Sequence, residues 1–406
     1  MANGNLNATC VIAGGGPAGM MLGYLLARAG VEVAVLEKHA DFLRDFRGDT
    51  IHPSTLEVMH ELGLLDEFLK LPHQEVRELT AQFGALDVTL ADFSRVPTRC
   101  KFIAMMPQWD FLDFLAGHAK RYPSFHLLME AEATDLIVES ERVVGLRART
   151  KDGALEARAD LVVAADGRHS VLRERAGLKI KDYGAPMDVL WFRLLRSRGE
   201  TAQTMGRFDR GRIFISINRG DYWQCGYVIA KGQNEDIRRE GLQAFRERVA
   251  RAAPHLKAHV GELTDWEQIK LLTVQVDRLV EWSRPGFLSI GDAAHAMSPV
   301  GGVGINLAIQ DAVAAGNLLA VPLKEKRLTP SHLRSVQRRR EWPTRVTQRL
   351  QIAVQRRVIA RALDDTGPFE PPLLFRWMAK VPALRRIPAR LIGVGVRPEH
   401  VSPAIL

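Results

Sequence analysis

The first apolar stretch of the chain, Asn7-Ala8-Thr9-Cys10-Val11-Ile12-Ala13, is short and ends abruptly at glycine. Such a run predicts a buried strand. Gly14-Gly15-Gly16-Pro17-Ala18-Gly19 comes next, and then Met21, Leu22, Leu25 and Leu26 recur at helical spacing between Met20 and Ala29. Gly30 stops that helix, and Val31-Glu32-Val33-Ala34-Val35-Leu36 predicts a second strand closed by Glu37. The order is a complete βαβ unit. The same strand-then-glycine pattern returns twice. Ala159–Ala165 runs into Asp166-Gly167-Arg168-His169-Ser170, and Gly286–Ile290 runs into Gly291-Asp292-Ala293-Ala294-His295. An amphipathic helix is expected from Leu307 to Leu319.

Elsewhere the pattern changes. Val189–Leu195, Arg212–Ile217 and Asp221–Ile229 read as strands of a different sheet. Alternation places Tyr222, Gln224 and Gly226 on one face and Trp223, Cys225 and Tyr227 on the other. Which set meets a ligand is left open by the pattern. From Arg334 to Arg361 the chain reads as a basic helix without glycine, and Pro368, Pro371, Pro372, Pro382 and Pro388 break the remainder into short helices. This tail is expected to pack on the main domains or on a second subunit, so a homodimer stays open.

The three glycine segments carry the candidate chemistry. Gly14 permits the tight turn, Gly16 lets the backbone approach a pyrophosphate, and Gly19 brings the helix close to the strand. The N–H groups at the helix start, around Pro17 and Ala18, then face phosphate oxygens. Glu37, with Lys38 beside it, stands where a carboxylate takes ribose hydroxyls. A carboxylate there repels a 2′-phosphate, so the site suits FAD or NAD rather than NADP. Asp166 and Asp292 close the other two strands, and a carboxylate at a strand end can bind a polyol chain. Pro299 and Gly301-Gly302-Val303-Gly304-Ile305-Asn306 form a loop able to lie flat against a planar ring. Three such loops in one chain imply a single extended dinucleotide.

In these motifs the chain resembles the class A flavoprotein monooxygenases, the family of para-hydroxybenzoate hydroxylase, over residues 8 to about 330. The resemblance implies an α/β fold: a Rossmann-like FAD-binding domain of the GR2 type, interrupted by an antiparallel β-sheet substrate domain and followed by a C-terminal helical segment. It divides the chain into 1–75, 101–175 and 281–330 for FAD, 76–100 and 176–280 for substrate, and 331–406 for the helical region. It adds Arg47 near the flavin and Gln108 at the ribityl chain. It also gives Ser170 and Arg173 a place in a middle motif serving FAD and NAD(P)H. Pro299 and Gly304 are its catalytic-loop positions, and no side-chain base is assigned. The implied reaction is hydroxylation of an aromatic, typically phenolic, small molecule with NADH or NADPH and O2, through a flavin C4a-hydroperoxide. Competing readings are a non-oxygenating FAD oxidoreductase of the same fold, and a quinone-pathway hydroxylase at a membrane surface. A flavin-binding protein without turnover is a further alternative. The WxWxIP motif of flavin halogenases does not occur.

Composition trims the picture. The 406 residues with 46% hydrophobic content suffice for a large core. Cys10, Cys100 and Cys225 form no CxxC pair, and the 12 histidines make no ligand pattern, so neither a disulfide framework nor a metal site is expected. Net charge is +9, but residues 321–406 hold 18 Lys and Arg against 6 Asp and Glu. That excess reads first as solvated helix faces. An anionic membrane, an acidic partner or NADPH phosphates are the other readings. No nucleic-acid motif accompanies the charge. With no apolar run long enough to span a bilayer and no signal-peptide pattern before the first strand, a cytoplasmic location is the expectation.

Overall fold

The computed structural model describes residues 4–43, 50–197, 205–364 and 372–406. Its main sheet is built on five parallel neighbours: Phe287–Ser289, Gly153–Ala164, Gly4–Ala13, Val33–Leu36 and Phe125–Leu128. Ala13 pairs with Ala164 and with Leu36, and Ala164 pairs with Ser289, so these strand ends finish level. Both faces of these strands are covered, which explains their unbroken apolar runs. Cys10, Ile12, Leu161 and Val163 face the helices Pro17–Arg28, Gln108–Ala119 and Gly304–Lys324. Val11, Ala13, Val162 and Ala164 face the opposite way, onto the antiparallel strands Glu132–Glu139 and Arg142–Thr150 and the helix Val171–Arg175.

The helix Gly304–Lys324 corrects one expectation. With the turn before it, it is long and apolar enough by composition to cross a membrane, yet most of it is buried inside the protein. It packs so closely on Pro17–Arg28 that Gly316 lies against Leu25. It is the central core helix.

A second sheet has seven strands in the order Lys270–Leu272, Met187–Leu195, Tyr222–Ala230, Arg212–Asn218, Met205–Asp209, Glu78–Phe83, Leu86–Asp92. It is antiparallel except between Met205–Asp209 and Glu78–Phe83. That pair joins segments far apart in sequence, so no tight turn forces them to run in opposite directions. One face carries Trp223, Cys225 and Tyr227 against Phe245 and Val249 of the helix Leu242–Ala252. The other face carries Trp191, Ile213 and Val228, with Ile215 beside them, and meets Val300 of the loop before the core helix. Both faces are packed: the first on Phe245 and Val249, the second on Ile359 and Ala362 with Val300 of the loop at its border.

The basic tail is not an appendage. The helix Pro330–Val354 buries Arg340, whose guanidinium donates to Asp311 of the core helix at 3.0 Å and to Glu399 near the C-terminus at 3.0 Å. Arg339 adds two bonds to the same glutamate, at 2.8 and 3.0 Å. Arg340 and Asp311 are 1% and 0% exposed. Burial pushes the Asp311 carboxyl up. His295, Arg340 and the Gly291 N–H outweigh that and hold it below the ordinary aspartate range. Removing one partner of such a cluster leaves a buried charge uncompensated. Arg340→Leu should therefore cost about 3–5 kcal/mol of stability, read by urea unfolding. A loss below about 1 kcal/mol, the scale of a surface pair, would show that the network is not structural.

Candidate functional site

All three glycine loops leave the same edge of the sheet, at the carboxyl ends of adjacent parallel strands. This is where open α/β sheets bind their ligands. Gly14 adopts φ +106, and a Cβ there would overlap the Ala165 carbonyl at the end of the neighbouring strand. A Cβ on Gly19 would overlap the Gly14 carbonyl. Both glycines are thus required by the protein itself. Gly16 is not: its φ is −74 and a Cβ there would meet nothing among the described residues within 4 Å. The open space belongs to whatever lies above the loop. Gly16 is also the N-cap of Pro17–Arg28 and offers no side chain. Intrahelical bonding begins only with Met20 N–H to the Gly16 carbonyl, so the N–H groups of Ala18 and Gly19 have no helical acceptor. Unsatisfied N–H groups at an open helix start have the chemistry that suits an anion.

Around it stand the carboxylates. Glu37, buried at the end of its strand, accepts from Gly15 N–H at 3.0 Å and His39 N–H at 3.1 Å. Lys38 is exposed and lines a cleft of about 410 Å³ with His39, Ala40, Glu130 and Glu132. Asp166 stands just beyond the second of these strands. Burial pushes its carboxyl up, and Oδ1 has no hydrogen-bond partner among the described residues. Asp292 lies 3.4 Å from Arg168, each about 30% exposed. Ser170 caps its short helix through Arg173 N–H, while the Arg173 guanidinium donates to the Ala293 and Arg168 carbonyls. Arg173 therefore ties the second loop to the third. Ala18 ties the first to the third: a carbon added to Gly291 would sit 3.1 Å from the Ala18 Cβ. Gln108 opens the helix Gln108–Ala119 and is half-buried. Arg47 lies outside the described residues, as do Gly48, Pro368 and Pro371.

The loop Met297–Val303 is held from three sides. Thr50 donates to the Gly302 carbonyl at 2.9 Å. Three buried glutamines of the C-terminal helical segment reach it from behind. Gln348 donates to the Ala296 carbonyl at 3.1 Å, Gln351 to Ser298 at 2.9 Å and to Val300 at 2.8 Å, and Gln355 to the Ser298 hydroxyl at 2.8 Å. Side-chain amides so replace a missing strand partner for alternate carbonyls. In front, the core helix starts at Gly304 without a side-chain cap, and its own bonding begins at Leu307 N–H. The N–H groups of Gly304, Ile305 and Asn306 thus lack helical acceptors, and the positive end of a 21-residue helix faces the loop. The Asn306 side chain is occupied: its Oδ1 accepts from Ser54 at 2.7 Å and Thr55 at 2.8 Å.

These features fit an extended, anionic dinucleotide whose planar ring ends at the Pro299–Gly304 loop. The match to known proteins agrees. Residues 7–350 match the family described as FAD binding domain. A 6-methylpretetramide 4-monooxygenase of Streptomyces rimosus is 30% identical over 392 residues, covering 95% of this chain and 93% of that protein. The chain belongs to this family of FAD-dependent aromatic monooxygenases. A more distant relative of the monooxygenase is the pentachlorophenol 4-monooxygenase of Sphingobium chlorophenolicum. It is 26% identical over 78% of this chain, which spans 58% of that protein's length. In fold, the monooxygenase is similar to p-nitrophenol 4-monooxygenase PnpA of Pseudomonas putida. The TM-score is 0.76 at 19% identity, over 97% of this chain and 100% of that one.

Several residues of the site were not singled out by sequence. Asp311 accepts from Gly291 N–H at 3.0 Å and pairs with His295 at 2.6 Å, so it pins the third loop from below. His295 is thereby a buried pin, turned away from the cleft. The glutamines repeat at spacings of three and four, a helical-face signal hidden among arginines. His52 is fully buried, with Nδ1 donating to the Ile392 carbonyl at 2.7 Å. Burial pulls its pKa down to about 4, against the upward pull of the Ile392 and Gly302 backbone.

The helix start at Gly16 and the buried histidine each give an expected outcome. Gly16→Ala should leave the flavin-free protein as stable as before, within about 0.5 kcal/mol, yet weaken FAD more than about tenfold. Gly19→Ala should instead destabilise the flavin-free protein by about 1–3 kcal/mol. Denaturant melts and flavin titration separate the two, and a Gly16→Ala protein with native FAD affinity contradicts an anion site at that helix start. For the histidine the variable is pH. Unfolded His52 takes up a proton near pH 6.5, while the folded one resists until about pH 4. Its contribution is therefore fully present above pH 6.5 and is lost as pH falls toward 4, by about 3 kcal/mol. His52→Gln should flatten that part of the stability profile, and an unchanged slope would remove His52 from it.

Proposed function

We propose that this monooxygenase hydroxylates an aromatic small molecule of the phenol class, using O2 and either NADH or NADPH. The observation that carries this reading is the glycine at position 16, which no contact among the described residues requires, set above helix N–H groups at the meeting point of three loops. A relative whose name specifies a phenol, the pentachlorophenol 4-monooxygenase, supports the substrate class.

In this reading FAD lies across the three loops. The cradle formed by Gly14, Gly16, Pro17, Ala18 and Gly19 takes the pyrophosphate, and Glu37 and Lys38 stand at the adenosine end. Asp292, Asp166 and Gln108 serve the middle of the cofactor, and Pro299, Gly304, Ile305 and Asn306 border the ring. Bound FAD supplies the redox chemistry, accepting a hydride from NAD(P)H and activating O2 for transfer of one oxygen atom to the substrate. The chain's own residues do the rest. Backbone N–H groups at the start of Gly304–Lys324 stabilise negative charge placed against the loop. The glutamines at 348, 351 and 355 hold that loop still, so its donors need no reorganisation. The apolar face with Trp191, Ile215 and Val228 limits water on the substrate side.

Steady-state NAD(P)H oxidation across a panel of phenols, with products identified by mass spectrometry, tests the reaction. The expected result is substrate-stimulated oxidation and a product heavier by one oxygen atom. Oxidation that no phenol stimulates contradicts the proposed activity. In the same series Asp292→Ala should weaken FAD by about 1.5–3 kcal/mol, the scale of a hydrogen bond to a charged group, and unchanged affinity would remove Asp292 from the cofactor.

A further inference from the structure

The end of the chain exposes apolar surface beside a run of cations. The helix Leu373–Lys380 is apolar on two faces. Phe375, Met378 and Ala379 turn inward onto the edge of the seven-stranded sheet, where the Phe375 ring stacks on Phe83 at 4.6 Å. Leu373, Leu374 and Trp377 turn outward and are 71%, 61% and 62% exposed. Val381 extends this stripe. Ile387, 62% exposed, adds to it from the next helix, Arg386–Gly393, which packs on the same strand, Leu86–Asp92. A helix apolar all round is stable where both sides are covered. The sheet covers one side only.

Charge indicates what covers the other. Residues 372–398 hold six Lys and Arg and no Asp or Glu. Lys380, Arg386 and Arg390 are exposed on these two helices. Arg386 and Arg390 also line a cleft of about 150 Å³ with Arg95, Val96, Pro97 and Asp92. The Asp92 carboxylate is engaged by Ser94 N–H at 2.9 Å. A second copy of the chain would set this predominantly basic surface against itself. An anionic lipid surface complements it: the apolar side chains enter the acyl boundary while the cations reach the headgroups. We propose that Leu373–Gly393 is a docking surface for an anionic membrane, with the cleft of Arg95, Arg386 and Arg390 receiving a headgroup phosphate. The inference does not depend on what the flavin site oxidises.

Sedimentation of the FAD-loaded enzyme with vesicles tests it. The enzyme should pellet with vesicles containing phosphatidylglycerol, stay in solution with phosphatidylcholine alone, and be released by added salt. A Leu373→Asp, Trp377→Asp pair and an Arg386→Glu, Arg390→Glu pair should each lower binding by about tenfold or more, with bound FAD and turnover retained. Indifference to phosphatidylglycerol, or full binding by both pairs, overturns the proposal. So does self-association without lipid that the Leu373→Asp, Trp377→Asp pair abolishes, because it assigns the surface to a second copy. Should either pair lose FAD, the Trp377 emission, obtained by subtracting a Trp377→Phe variant, decides. A blue shift with phosphatidylglycerol vesicles supports docking, and no shift refutes it.

Discussion

One close approach organises this protein: the Gly14 backbone touches both the Ala165 carbonyl and Gly19, with no room for a side chain at either glycine. That contact brings the end of the first strand level with the end of the next and sets the first helix directly above the turn. Everything the site needs depends on it. The helix N–H groups point into the space over the sheet edge, and Ala18 comes against Gly291, so the third loop joins the first two. Gly16 then stands out as the one glycine of the turn whose missing side chain serves no contact among the described residues.

The polar interior serves the same site from below. Asp311 receives Gly291 N–H, His295 and Arg340, and Arg340 passes the connection to Glu399. Gln348, Gln351 and Gln355 donate to the Ala296 and Ser298 carbonyls and the Ser298 hydroxyl, holding the loop before the core helix. A buried polar group without a partner costs stability; Arg340 and the three glutamines find these partners only when the tail is docked, and Asp311 gains its Arg340 bond there. The C-terminal region is therefore part of the site's support. Any loosening of the tail is expected to reach the Met297–Val303 loop.

Much of this was legible in the sequence. The runs before Gly14, Asp166 and Gly291 are strands because both their faces are buried, and an unbroken apolar run states that directly. Glycine spacing marked the tight turn and the start of the first helix, and Gln108 does open a helix. What stayed hidden is long-range and polar. Asp311 and Arg340 are 29 residues apart, and nothing local marks either as buried. The glutamine face was masked by the arginines around it, which made the helix read as solvated. Alternation divided Tyr222, Gln224 and Gly226 from Trp223, Cys225 and Tyr227, but only tertiary packing shows which set meets Phe245 and Val249. The apolar core helix shows the converse. Its composition alone suits a bilayer, and its burial against Leu25 and its neighbours is a tertiary fact.

The central claim is that one extended flavin dinucleotide spans loops from three distant parts of the chain. Titration of the flavin-free protein with FAD, followed by flavin fluorescence, tests it most directly. One FAD per chain should bind saturably, with riboflavin, which lacks the phosphates and adenosine, bound far more weakly. Failure to take up FAD, or equal affinity for riboflavin, would contradict it.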